Sequence, residues 1–538
     1  MLDAFGSQTH LPTINHDWMA NDNQEDFVSL PIPSVIGKGA SANYWLDRVY
    51  PETISRAHRD GSIHIHDLDR LSGHCTGWSL RELLTEGLTD ITGKITTKPP
   101  GHLSTAIGQM AAFLDVTQNE WAGTQTFSSL DTYLAPYVRK DGLSYKDVLQ
   151  NIKELIFRLN VSSYWNGRPP SINVTFDWVC PEDLRETSPI ISGKKMSFCY
   201  GDLQPEMDAI NRAYIETMSE GDAGGRAFTF PITTYNITRD FDFNSENAAL
   251  LFEMAARQGV PYFQNFINSE MEPSQIRAMS RRLHPNLREL FKRGNGLFGS
   301  AEQAGSVGLV TVNCARLGHQ YAMDINGLYA RLDRIVELAR DSLEIKRRVI
   351  NGHMDGGRHP YMKRYLGSLR NHFSTIGVNG INEMILNFTH GCDDITSPSG
   401  KRMAGHMLTH IRNRLVEFQK KTGHLYNLEA TSEEKVGHRF AGEDIKKYPS
   451  IIHAGTAKEP NYTNSSQIPV KLMGNPLETL KHQDDLQIKY NGGTVLRLPL
   501  GNSDEPATAC RELVERAIGN FKISCIAITP TILIGGDE

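Results

Sequence analysis

Hydrophobic and polar positions recur along this chain at two periods, and the switching between them predicts most of its elements. Val148, Ile152, Leu155, Ile156 and Leu159 repeat at helical spacing behind Ser144 and Asp147, a capping-box start, so a surface helix is expected up to Asn160. Leu328, Leu332, Ile335 and Ala339 share one apolar face behind a capping Asp324, which predicts a long helix ending by Gly352. Met407, Ile411, Leu415 and Phe418 mark another, closed by Gly423. Helices are also read over Tyr44 to Arg59, at both ends of Gly101 to Arg139, and from about Ser245 to Arg257. Between them lie short runs with strand character: Ser171 to Trp178, Phe228 to Thr238, Val260 to Asn268, Val307 to Val312, the start of Asn371 to Phe388, Leu425 to Thr431, Gly492 to Leu500, and the apolar residues after Ser524. Strands alternating with helices predict βα units and a largely parallel sheet.

Three stretches carry more than packing. In Ile63 to Asp69 (IHIHDLD) the isoleucines alternate with His64 and His66, giving a strand with one imidazole-bearing face. That face is read either as hydrogen-bonded structural histidines or as the polar floor of a pocket for a hydroxyl-rich substrate. Met279 to Gly318 reads as a charged helix, a loop dense in glycine (Gly294, Gly296, Gly299, Gly305, Gly308) and a strand ending at Asn313-Cys314. Such a loop can thread where side chains would clash, for instance through a barrel. Asn371 to Phe388 is a strand, a Gly/Asn turn and a helix start, whose free N–H groups are an anion-binding candidate.

Composition narrows the classes. At 538 residues, 39% hydrophobic and 22% charged, the chain can bury a large core; size alone suggests two or three units, although a closed α/β barrel can run this long. A net charge of −6 with scattered Lys and Arg gives no nucleic-acid footprint. No apolar run is long enough to span a membrane and the N-terminus has no signal-peptide pattern, so a cytoplasmic protein is expected. Seven cysteines without a CxxC pair fit a reducing compartment and predict no metal site in the chain, zinc included. Residues 1–40 are read as an extended arm.

HIHDLDRLSGHCTGWSLRELL, QNEWAGTQTFSSLDTYLAP, INVTFDW, FPITTYNIT, GSVGLVTVNCARLG, KRYLGSLRNHFSTIG, LYNLEAT, YTNSSQIPV, GGTVLRL and AITPT resemble, in order, the core of the anaerobic (class III) ribonucleoside-triphosphate reductases. The resemblance covers about residues 25 to 533. It implies a ten-stranded α/β barrel of two antiparallel halves with a central finger loop, spanning 41–533 between the arm and a short tail at 534–538. It further implies a homodimer, ribonucleoside-triphosphate substrates, dNTP and ATP effectors, and activation by a radical enzyme using S-adenosylmethionine and an iron–sulfur cluster. The chemistry replaces the ribose 2′-hydroxyl by hydrogen. It is started by a thiyl radical that a glycyl radical generates, while the protein supplies position and water exclusion.

By the resemblance, Cys75 matches the second-face cysteine and Asn313 the asparagine after the finger-loop strand, with Cys314 left as packing. His64 and His66 fall beside the substrate, and Gly377, Asn379, Gly380 and Asn382 near its phosphates. Ser280 and Arg281 stand where relatives carry a Cys-Cys pair, so the radical-bearing thiol is missing from its place. Serine cannot replace it, because its O–H bond is far stronger than S–H. The chain ends in ILIGGDE where relatives continue into a zinc-binding CxxC module and a glycyl-radical loop, and it carries no N-terminal ATP-cone. The expectation is therefore a reductase subunit whose glycyl radical and zinc belong to a separate polypeptide. The alternatives are an inactive paralogue that binds nucleotides or a partner, and a related glycyl-radical barrel with another substrate.

Overall fold

A computed structural model describes residues 39–70, 72–161, 171–268, 303–430 and 434–530. Eleven strands form its main sheet: β1 (Ile63–Ile65), β2 (Cys75–Trp78), β3 (Gln125–Phe127), β4 (Ile172–Phe176), β5 (Ile232–Ile237), β6 (Tyr262–Asn265), β7 (Gly305–Asn313), β8 (His372–Asn379), β9 (Leu425–Ala430), β10 (Leu496–Pro499) and β11 (Cys525–Thr529). The helices that matter below are α1 (Leu103–Thr117), α2 (Tyr145–Asn160), α3 (Gln204–Glu220), α4 (Glu246–Gln258), α5 (Cys314–Gln320), α6 (Ile325–Asp355), α7 (Ile381–Phe388), α8 (Pro398–Thr422) and α9 (Glu434–Lys447).

The sheet is two parallel halves joined antiparallel. β2, β3, β4, β5 and β6 run parallel, as do β7, β8 and β9, and β10 with β11. The halves meet antiparallel at β2/β7 and again at β6/β11. Ring closure comes from a parallel bridge between Glu429 on β9 and Gly493, just ahead of β10, with Ala430 N donating to Gly493 O at 3.0 Å. The expected largely parallel sheet is thus parallel within each half and antiparallel at the seams. β1 lies outside the ring, antiparallel on β7 with His64 opposite Thr311.

Side chains of alternate residues divide the ring into two faces. Trp78, Phe127, Ile172, Val174, Phe176, Tyr235, Ile237, Phe263 and Ile526 point outward into one core with α1 to α4. Val310, Val312, Ile376, Val378, Tyr426 and Leu428 do the same in a second core with α6 to α8. The intervening residues face the lumen, and there they are mostly polar. Helix starts follow the sequence signals: Ser144 and Asp147 form the capping box of α2, Asp324 Oδ1 accepts Gly327 N at 2.9 Å to start α6, and Gly423 ends α8 at φ +73°.

Two readings need correction. The Tyr44–Arg59 helix is broken, because Tyr50 is extended ahead of Pro51 and the chain restarts its helix only at Glu52. The small polar stretch Gly123–Ser129 contains barrel strand β3. Its outward Gln125 is buried because its amide oxygen accepts Trp78 Nε1 and Thr117 Oγ1, so no apolar alternation announced it. Cys75, placed above by resemblance alone, lies on a strand, β2, and is buried.

Candidate active site

The lumen between β2 and β9 is organised by hydrogen bonding between neighbouring strands. Cys75 on β2 is paired with Ser306 on β7, Ser306 Oγ bonds Thr375 Oγ1 on β8 at 2.7 Å, and Thr375 is in register with Asn427 on β9. A belt of one thiol, two hydroxyls and one amide therefore crosses four strands on one face. Gly305 permits its first link: a Cβ there would lie 2.3 Å from Cys75 O and 2.8 Å from Thr76 Cα, so β7 can approach β2 only without a side chain.

Several lumen groups are buried without a partner. Asn427 is 0% exposed, yet neither its Oδ1 nor its Nδ2 meets a hydrogen-bonding group. Thr126 Oγ1, Ser128 Oγ, Asn173 Oδ1 and Asn379 Oδ1 share that condition. Each such atom costs on the order of 1–3 kcal/mol unless another polar group meets it. Asn427 sits between outward Tyr426 and Leu428. A lone amide at an alternating position was the signal that could have found it in LYNLEAT.

The histidines of the β1 strand form a contacting row. The His64 ring lies 5.3 Å from His58 and 4.6 Å from His66, and His66 Nε2 bonds Thr311 Oγ1 at 2.8 Å. His64 Nδ1 lies 3.2 Å from Arg439 Nη1 on α9. Burial, with the nearby Arg439, brings the His58 imidazole down to about 3, so it is neutral at neutral pH. On β8, burial and Arg347 bring His372 down to about 3 as well, and its Nε2 meets Thr76 Oγ1 at 3.1 Å.

The structure gives Asn313 a capping role. Its Oδ1 accepts Arg316 N at the start of α5, while its Nδ2 donates to Gly61 O at 3.1 Å and to Asp444 Oδ2 at 2.8 Å. Asp444 is also the partner of Arg316 in a buried ion pair and accepts Tyr462 Oη at 2.9 Å. Cys314 begins α5 inside the outer core, and burial pushes its thiol up to about 12. Gly377 and Asn379 lie on β8, and Gly380, at φ +77°, leads into α7. The N–H groups of Gly380 and Ile381 already donate to Thr463 O and Ser465 O, and Asn382 turns its side chain to Ile395 N and Glu383. Two of the N–H groups at that turn are thus bonded by the chain's own 463–465 loop. Ser280 and Arg281, at the finger-loop tip, lie outside the described residues. Among the described residues no group of three or more His, Cys, Asp or Glu could hold a metal ion. No helix among them is long and apolar enough to cross a membrane.

This architecture has known counterparts. The family model for anaerobic ribonucleoside-triphosphate reductase matches residues 20–535. The anaerobic ribonucleoside-triphosphate reductase of Enterobacteria phage T4 is 21% identical, over 89% of this chain and 81% of its own length. That of Escherichia coli K12 is also 21% identical, over 91% and 70%. The fold matches the anaerobic ribonucleotide reductase of Thermotoga maritima solved with citrate in the active site, at a TM-score of 0.73 and 18% identity over 93% of this chain and 91% of that one. It matches the same enzyme in complex with dATP and CTP at 0.71 and 20% identity, over 92% and 82%. With a polar-lined ring of two antiparallel halves and a family match across nearly its whole length, the chain belongs to the anaerobic ribonucleoside-triphosphate reductases.

Proposed function

We propose that the lumen binds a ribonucleoside triphosphate for reduction at its 2′ position, with Cys75 on the substrate's second face. The observation that carries this reading is Asn427, a fully buried amide with both polar atoms unpartnered, in register with Thr375 on the belt that leads to Cys75. Its carbonyl and amino groups match the donors and acceptors of a ribose or base, and only a polar occupant relieves their burial cost. Thr375 and Ser306 hold the belt in register. His64 and His66 border the same space. Asn313 supports it from the rim by fixing α5. A glycyl radical supplies the initiating radical chemistry in this family. An activase, a homodimeric partner and dNTP or ATP effectors belong to the same reading, with dATP and CTP bound by the T. maritima enzyme as precedent.

Ser280 favours a second reading, in which the barrel binds nucleotide without turnover, because the thiol expected at that position is absent. One experiment separates the two. The chain is incubated anaerobically with a radical-generating activase, S-adenosylmethionine, a glycyl-radical polypeptide and each ribonucleoside triphosphate, as wild type and as Ser280→Cys. Deoxynucleotide from wild type supports the reductase. Product from Ser280→Cys alone supports a barrel that binds substrate but lacks its radical thiol. No product and no nucleotide binding by either protein rejects both.

A further inference from the structure

The Cys75 belt occupies β2, β7, β8 and β9, and the strands on the other side of the ring carry a second row. Thr175 on β4 is in register with Thr234 on β5, Thr234 with Tyr262 on β6, Tyr262 with Ala527 on β11, and Ala527 with Arg497 on β10. Leu496, Leu498, Ile526 and Phe263 beside them point into the outer core, so the row faces the lumen. Arg497 is the only lysine or arginine on the eleven strands of the main sheet. Its side chain crosses the small Ala527 to reach Tyr262. There Nη2 donates to Tyr262 Oη at 3.3 Å, and the guanidinium lies 6.0 Å from the ring centroid.

That partner is neutral, and among the described residues no carboxylate forms an ion pair with Arg497. Half-buried beside the apolar cluster of Ile232, Tyr262, Ala527 and Val495, its charge attracts an anion more strongly than it would in water. A guanidinium presents five N–H donors in a planar fork, and a phosphate group accepts two of them side by side. The row also holds an unmet acceptor. Asn173 Nδ2 donates to Thr234 Oγ1 at 3.2 Å, while its Oδ1, on a residue 0% exposed, has no hydrogen-bond partner. The place of Arg497 along the ring follows from the register. Gly377 on β8 pairs with Glu429 on β9, which bridges Gly493. These strands are parallel, so Arg497, four positions beyond Gly493, comes to the same end of the ring as the Gly380 turn. The N–H groups of Gly380 and Ile381 are bonded within the chain, so at this end Arg497 is the strand-borne group with positive charge to offer.

We propose that Arg497, held by Tyr262, binds the phosphate chain of the nucleotide in the lumen. Tyr262 is a positioning residue: its hydroxyl and ring fix the guanidinium across Ala527. The lumen thereby discriminates its ligands by phosphate as well as by ribose. The inference rests on the reading of the lumen as a nucleotide site and names the residue that takes the anionic end.

The test is equilibrium dialysis of the full chain against a ribonucleoside, its mono-, di- and triphosphates, and inorganic tripolyphosphate. Wild type should bind the triphosphate about tenfold or more tighter than the nucleoside. Arg497→Met should lose about tenfold or more of the triphosphate affinity and leave nucleoside affinity unchanged, as expected for removal of a charge-assisted hydrogen bond. Arg497→Lys should keep part of that affinity. Tyr262→Phe should weaken triphosphate binding about twofold to fivefold without touching the nucleoside. Equal affinities across the wild-type series overturn the proposal, and that measurement needs no variant. So does an Arg497→Met protein that binds triphosphate as wild type does, or that loses nucleoside and triphosphate alike. Tripolyphosphate bound through Arg497 with no nucleoside or nucleotide bound supports an anion site at Arg497 and rejects the nucleotide reading. Nucleoside bound with no effect of phosphate or of Arg497 rejects the anion site alone. If no probe binds, both are rejected.

Discussion

At Glu120 a single carboxylate couples folding to pH. It is 5% exposed and accepts Tyr361 N and Met362 N, capping the helix Pro360–Leu366, yet burial raises it to about 7. An acid raised in the folded state is protonated there while its unfolded counterpart is ionised. Its stabilisation is therefore full below about 4.5 and is lost as pH rises through about 7. Denaturant titrations of wild type against Glu120→Gln across that window should show wild type losing up to roughly 3 kcal/mol relative to the variant. Equal slopes would contradict the burial account. Asp444 is tested differently: it is 0% exposed and binds Arg316, Asn313 and Tyr462, so Asp444→Ala strands a buried guanidinium. A loss of about 3–5 kcal/mol in chemical denaturation is expected, and a loss under about 1 kcal/mol would show that the ion pair is not structural. Neither residue was legible in the sequence, where a buried carboxylate looks like any surface one. The β1 histidines were legible because alternating imidazoles stand out on a strand, whereas Cys75 was picked out by the family resemblance alone.

Among the elements, the close approach of β7 to β2 is the most exacting. Gly305→Ala places a methyl against Cys75 O and Thr76 Cα, so the antiparallel seam must part. Thermal denaturation should show a loss at the upper end of about 1–3 kcal/mol, with disturbed Cys75 reactivity. A Gly305→Ala protein as stable as wild type would mean that the seam is looser than described. Helices α2 and α6, with clean capping and periodicity, were readable to within a few residues since their signals are local, whereas α8 was read only from Met407 to its end. β3 and α3 were not anticipated. The first hides its burial in the hydrogen bonds of Gln125, and the second starts from Leu203-Gln204 with no side-chain cap. At Gly380 the N–H groups of the helix start are bonded to residues some eighty positions away, which no local pattern reveals.

For the whole molecule, βα alternation indicated parallel strands, but the antiparallel seams and the closure at Glu429 and Gly493 are long-range facts. The family resemblance supplied the barrel that periodicity could not, and the match over residues 20–535 agrees with it. The polar lumen is the feature the account depends on, and Asn427 is its sharpest point. The most direct test is equilibrium dialysis of each ribonucleoside triphosphate against the chain, as wild type and as Asn427→Leu. The account predicts saturable binding of at least one nucleotide at one lumen site per chain. That binding should weaken about tenfold or more in Asn427→Leu, the loss of roughly 1.4 kcal/mol expected for a good hydrogen bond, with thermal stability retained. Absence of binding by all four nucleotides, or binding indifferent to Asn427→Leu, would contradict it.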